Sequence, residues 1–227
     1  MVGVGEYIHG TPGRLQTGLR SRIPIGESFI LFQDLFDRAN GVIGNNWTGA
    51  SDGNASAPDI FSNSQLRFNI GATAGTSFAY RNLEGYTLAK LTVEIYGVIQ
   101  TGTWDVARPI IGYGTTTTNL INGSGISLQM VRASNTYKIF EGATEKGSAG
   151  IGYNTNDTVY FRFRITPNGA KARVWLNANA EPSTWGIDWV KGSSPTLNGD
   201  YLQVCFREDD GAGLALLNEI TVTAGIE

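Results

Sequence analysis

The chain has 227 residues, 41% of them apolar, and a formal net charge of -3 spread along its length; this excludes wholesale disorder and shows no basic footprint for nucleic acid. One cysteine (Cys205) and one histidine (His9) exclude an internal disulfide framework and a Cys/His zinc site. No run reaches the ~18 apolar residues of a membrane helix, and the length fits one all-β domain with a short appendage.

Residues 1–28 carry isolated apolar residues in no period, with Arg14, Arg20 and Arg22 set against Glu6 and Glu27. They read as an extended N-terminal arm, and Tyr7, Ile8, Arg14, Leu15, Leu19, Arg20 and Arg22 are its candidate contacts to partner chains. The first residues, MVGVGEYIHG, have neither the basic nor the apolar region of a signal peptide, so the expectation is synthesis in a cytoplasm. On that expectation the Asn-x-Ser/Thr sequons at Asn46, Asn54, Asn122 and Asn156 imply no glycans.

From residue 29 onward the chain reads as short strands punctuated by glycine-rich turns. ESFILFQDLF favours strand because Phe and Ile dominate it. LRFNIG and SFAYR follow as short candidates, then LTVEIYG, which alternates Leu91, Val93 and Ile95 inward. RPIIGY, GISLQM (Ile126, Leu128 and Met130 inward) and TYKIFEG come next. The strongest local pattern is DTVYFRFRITPNGAKARVWL. Val159, Phe161, Phe163 and Ile165 share one face, the PNG at 167–169 turns the chain, and Ala170, Ala172, Val174 and Leu176 return on that face. The other face carries Tyr160, Arg162, Arg164, Lys171, Arg173 and Trp175. YLQVCFRE (Leu202, Val204 and Phe206 inward) and NEITVTA close the series, with DDGAG at 209–213 read as a hairpin loop. Ten to thirteen strands at this spacing predict a two-sheet antiparallel jelly-roll sandwich.

The stretch FDRANGVIGNNW, residues 36–47, is too polar for a buried strand and too glycine-rich for a helix. With Asp34 it reads D-x-F-x-R-x-N-G-x-I-G-x-x-W, and this resembles the first strand and turn of concanavalin A-like (laminin-G-like) sandwich domains of tailed-phage structural proteins and bacterial surface proteins. Residues 160–185, ending in Glu-Pro-Ser-Thr-Trp, resemble that family's arginine-bearing hairpin and Glu-Pro-x-x-Trp element. GAGLALLNEITV resembles its closing strand. The resemblance covers 29–224 and implies a sandwich at 29–227 whose first and last strands pair, with Phe36 buried, Asn40-Gly41 turning the chain and Trp47 capping the core. It also raises a calcium site where the chain ends meet, using Asp34, Asp37 and Glu219.

Catalytic patterns are absent. Glycosidases of this fold class need paired carboxylates at alternate strand positions, whereas Glu94 stands alone at mid-strand and is expected to pair with an arginine. His9, in the arm, has nothing to fix it for a hydrolase triad. The resemblance implies a non-enzymatic structural protein of a tailed-phage virion, as capsid decoration, head fibre or minor tail component, anchored through its arm to other virion proteins and to copies of itself. The alternative is a carbohydrate-binding module or adhesin. Its site would be the face of Tyr160, Arg162, Arg164, Lys171, Arg173 and Trp175, where an aromatic ring stacks on a sugar and cations hydrogen-bond its hydroxyls. No cofactor, nucleic acid or membrane is expected.

Overall fold

Period-two alternation becomes fourteen antiparallel strands in a computed structural model that describes residues 28–82, 92–101, 108–114, 125–154, 156–177, 179–192, 201–209 and 211–225. The arm, with Tyr7, Ile8, Arg14, Leu15, Leu19, Arg20 and Arg22, lies outside the described residues. The strands are β1 (Ser28–Asp34), β2 (Thr48–Ala55), β3 (Asp59–Phe61), β4 (Gln65–Asn82), β5 (Thr92–Thr101), β6 (Arg108–Gly114), β7 (Gly125–Val131), β8 (Thr136–Glu141), β9 (Thr144–Gly150), β10 (Thr158–Thr166), β11 (Gly169–Leu176), β12 (Ile187–Val190), β13 (Tyr201–Glu208) and β14 (Gly213–Gly225). The helical content of the described residues is one 3-10 turn at Arg132–Ser134. No helix among them is long and apolar enough to cross a membrane.

The strands form two layers. The back layer runs β12-β11-β10-β5-β14-β1, and the front layer runs β2-β4-β13-β6-β7-β8-β9. β4 joins them, because its first half pairs with β14 and β3 while its second half pairs with β13 and β2. LRFNIG and SFAYR are therefore one long strand. A chain that must serve two sheets cannot stop between them, and no proline or charged residue stands in the ATAGT that joins the two runs.

Between the layers the inward positions of the alternating strands meet. Val159, Phe161, Phe163 and Ile165 of β10 pack in one buried cluster with Leu128 of β7 and Val204 of β13. Removing that apolar surface from water drives the fold at about 25 cal/mol per Å². On the far side the sheet margins approach closely. A Cβ on Gly186 would fall 1.7 Å from Tyr137 Oη of β8, so any larger residue where the segment enters β12 would have to push the tyrosine aside.

Three expectations change. DDGAG does not close a hairpin: β13 and β14 pair with different halves of β4, so the segment crosses between layers. β2 and β9 were not anticipated, because TGASDGNA and TEKGSAG are polar edge strands with no buried face to impose an alternation. β3 and β12 are too short, at three and four residues, to show a period.

Candidate functional site

Two polar constellations stand out, at the chain closure and on the outer face of the back layer. At the closure β1 pairs with β14 in the register Phe32↔Val222 and Asp34↔Ile220, as the resemblance implied. Asp34 is buried, and five donors meet its two oxygens. The Phe36 N–H and Arg38 Nη1 donate to Oδ1, both at 2.7 Å, while Arg38 Nη2, Asn45 Nδ2 and Trp47 Nε1 donate to Oδ2, each at 3.0 Å. Burial pushes the carboxyl up, but the Arg38, Phe36 and Asn45 donors outweigh it and hold it below the usual carboxylate range. Phe36, fully buried at φ 54°, is bent into the left-handed region that costs a bulky residue about 1–2 kcal/mol. The turn that imposes this is fastened at Asp34. Gly41, at φ 124°, makes the bridge to Ile60, and Trp47 closes over Phe32, whose ring lies 5.7 Å away edge-on.

The calcium set is not assembled. Asp34 shares the inner side of the sheet with its partner Ile220, so the adjacent Glu219, paired with Val98, faces outward. Asp37 is exposed to solvent, and the Asp34 oxygens are already occupied by donors. Among the described residues no group of three or more His, Cys, Asp or Glu side chains could hold a metal ion.

On the outer face of the back layer the strand register aligns all six side chains that the alternation singled out. Tyr160 pairs with Trp175, Arg162 with Arg173 and Arg164 with Lys171; on the other flank the same three residues pair with Val98, Tyr96 and Glu94 of β5. The face is not a free basic surface. Glu94 accepts from Arg162 Nη1 at 2.6 Å and from Arg164 Nε at 2.8 Å. Glu181, in the irregular segment after β11, accepts from Arg162 Nε at 2.7 Å and Nη2 at 3.0 Å, and also pairs with Arg173. Lys171 pairs with Asp188 of β12 at 2.9 Å. The Arg162 hydrogen bond above all holds the Glu181 carboxyl below the usual carboxylate range, against a smaller effect of burial. Reciprocally, the hydrogen bond to Glu181, and then Glu94, raise Arg162 above its ordinary value despite burial.

Aromatic rings fill the gaps. Tyr160 and Trp175 stack with centroids 5.7 Å apart and planes 15° apart, and Tyr96 lies 6.3 Å from Trp175. The guanidinium groups of Arg164 and Arg173 lie 5.2 and 4.6 Å from the ring centre of Trp185. Trp175 itself is only 8% exposed. It supports the Tyr160 ring rather than offering an open platform, and the half-buried rings of Tyr160, Tyr96 and Trp185 are the reachable ones. Glu181 and Trp185 were not among the residues singled out for the site. They belong to Glu-Pro-Ser-Thr-Trp, an irregular segment between β11 and β12 whose place over the arginines follows from no strand period.

The outer face of the front layer differs. Phe78, Ile110 and Cys205 form a second, small buried cluster there, with Tyr80 against it, and Gln203, Ser127 and Gln129 are buried too.

No protein-family model and no curated protein sequence matches the chain. Solved structures do. The exoplasmic/lumenal domain of VIP36 in its Ca2+/Man3GlcNAc-bound form is similar at TM-score 0.59 and 9% identity over 78% of this chain and 82% of that one. Lectin II from Ulex europaeus is similar at TM-score 0.60 and 8% identity over 89% and 100% of the two chains. Peanut lectin is similar at TM-score 0.61 and 9% identity over 88% and 99%. At such identities the likeness concerns the fold, and the fold is the concanavalin A-like β-sandwich of these lectin domains.

Proposed function

We propose that the sandwich is a non-enzymatic carbohydrate-recognition module whose ligand seats on the outer face of β5, β10 and β11. The observation that carries this reading is Arg162, clamped between Glu94 and Glu181 beside the Tyr160–Trp175 stack. Sugar recognition needs hydrogen-bonding groups held in fixed directions next to an apolar ring face, since a mobile side chain loses in entropy what its hydrogen bond supplies. Here Glu94, from within the sheet, holds the guanidinium groups of Arg162 and Arg164 in direction, and neighbouring rings wall them.

Of the two expectations drawn from the sequence, carbohydrate recognition is the one the fold favours, because the neighbours named above are lectin and glycan-bound domains. A structural role in a virion gains no support from them. The carboxylates on the face do not read as glycosidase groups. Both oxygens of Glu94 accept from arginine, and Glu181, held below the usual carboxylate range, is unsuited to carry the proton a general acid must deliver.

The test is a glycan array probed with the whole chain and with Tyr160→Ala and Arg164→Ala variants. A saccharide bound by the wild type and lost by both variants, with melting unchanged, supports the reading. No bound saccharide, or binding indifferent to both substitutions, overturns it.

A further inference from the structure

Two of the acidic groups on the arginine face differ in kind. Glu94 belongs to β5, lies beneath the guanidinium groups and is 15% exposed in its side chain. Glu181 comes from an irregular segment that crosses above them, and its side chain is 30% exposed. Its two oxygens take the Nε–H and Nη2–H of Arg162 in the parallel arrangement by which arginine binds a carboxylate, while Arg173 closes on Oε1. The remaining valences of Arg173 are incompletely met: Nη1 donates to the Pro182 carbonyl at 2.7 Å, and Nε is buried without a partner. Trp185, from the same segment, lies against Arg164 and Arg173. Resting on the reading above, we infer that Glu181 occupies the seat of a ligand carboxylate, so that the module's ligands are anionic glycans, which bind by displacing the 179–186 segment.

The chemistry favours an acidic sugar over a neutral one. With Glu181 withdrawn, Arg162 and Arg164 share one carboxylate, Glu94, Arg173 loses its own, and the face acquires an excess of positive charge. A uronate or sialate carboxylate restores the fork that Glu181 leaves, and its ring can lie along Tyr160. A neutral sugar offers no carboxylate to replace Glu181 between Arg162 and Arg173. The segment is anchored at both ends, by the Asn179 N–H to Leu176 O at 3.1 Å and the Gly186 N–H to Ala172 O at 3.0 Å. Between these points Glu181 and Pro182 hold it to the arginines through the contacts a ligand would replace.

The experiment is calorimetric titration of the whole chain with sialyllactose and a galacturonic acid oligomer, against lactose and a neutral galactose oligomer. Wild type, Glu181→Gln and Glu181→Asp are compared, each checked for an unchanged melt. Glu181→Gln removes the competing charge, and Glu181→Asp withdraws it by one methylene while preserving acidity, so the pair stays informative if one variant folds poorly. The expected result is binding of the acidic saccharides, tightened roughly tenfold in Glu181→Gln as the masked state is relieved, intermediate in Glu181→Asp, and weakened by added salt. Acidic saccharides bound no more tightly by either variant overturn the inference. Neutral saccharides bound in preference overturn it while leaving the module reading in place. Failure of every saccharide to bind overturns both.

Discussion

Trp47 and Asp34, thirteen residues apart, are joined by an indole N–H that donates to the carboxylate at 3.0 Å in a buried site. This bond ties the end of the FDRANGVIGNNW loop to the strand that begins the sandwich, and through the β1–β14 pairing to the strand that ends it. Trp47→Ala empties a buried aromatic site and is expected to cost about 3–5 kcal/mol in urea unfolding. Trp47→Phe keeps most of the ring but removes the donor to an ionised acceptor, and is expected to cost about 1.5–3 kcal/mol. A loss under about 1 kcal/mol for Trp47→Ala contradicts the closure account.

Asp34 also sets a pH dependence. Its folded pKa lies below the ordinary aspartate value of 3.8, so the native state releases the proton more readily than the unfolded chain. The resulting stability is fully present above the unfolded value, and it is lost as the pH falls through the folded one. Urea midpoints from pH 7 down to pH 2 are expected to decline below about pH 4. Asp34→Asn is expected to lower stability at pH 7 and flatten that decline. An unchanged acid limb in Asp34→Asn contradicts the assignment.

The sandwich core was legible because its strands are half-buried. Where one face meets the core and the other meets solvent, as in β10, alternation names the inward residues, and Val159, Phe161, Phe163 and Ile165 are inward; in β5 so are Val93 and Ile95, Leu91 lying outside the described residues, whereas β13 is buried on both faces. The pattern weakens at β2 and β9, polar margins that bury little, and at β4, whose continuity through both layers is a tertiary fact. The six outward side chains of β10 and β11 were equally legible as a set. Their neutralisation was legible in part: Glu94 pairs with arginine as expected, but which arginines it meets is set by the β5 register, and Glu181 comes from a loop. A face that reads as basic in one dimension is a paired lattice in three.

That lattice should matter to stability more than ordinary surface charge. Arg162→Ala strips partners from Glu94, whose side chain is 15% exposed, and from the more exposed Glu181. It is expected to cost about 1–2 kcal/mol, above the ~0–1 kcal/mol of an exposed pair, and the loss should shrink in high salt. Urea unfolding at low and high ionic strength measures both. A change below ~0.5 kcal/mol at low salt would make the pairs incidental.

Inside the core, the Tyr113 hydroxyl is fully buried without a hydrogen-bond partner, and burial raises its pKa. An unsatisfied hydroxyl is a cost that phenylalanine avoids at nearly the same volume. Tyr113→Phe is therefore expected to leave stability unchanged or raise it by about 1 kcal/mol. A loss of more than ~1 kcal/mol in urea unfolding would show that the hydroxyl is satisfied in solution.

The most direct test of the central claim is amide chemical-shift mapping of the whole chain as it is titrated with the saccharide that binds most tightly. The account predicts perturbations clustered at Glu94 and Tyr96, Tyr160 to Arg164, Lys171 to Trp175 and Glu181 to Trp185. Perturbations centred instead on Phe78, Tyr80, Tyr201 and Gln203 of the front layer, or none with any saccharide, would contradict it.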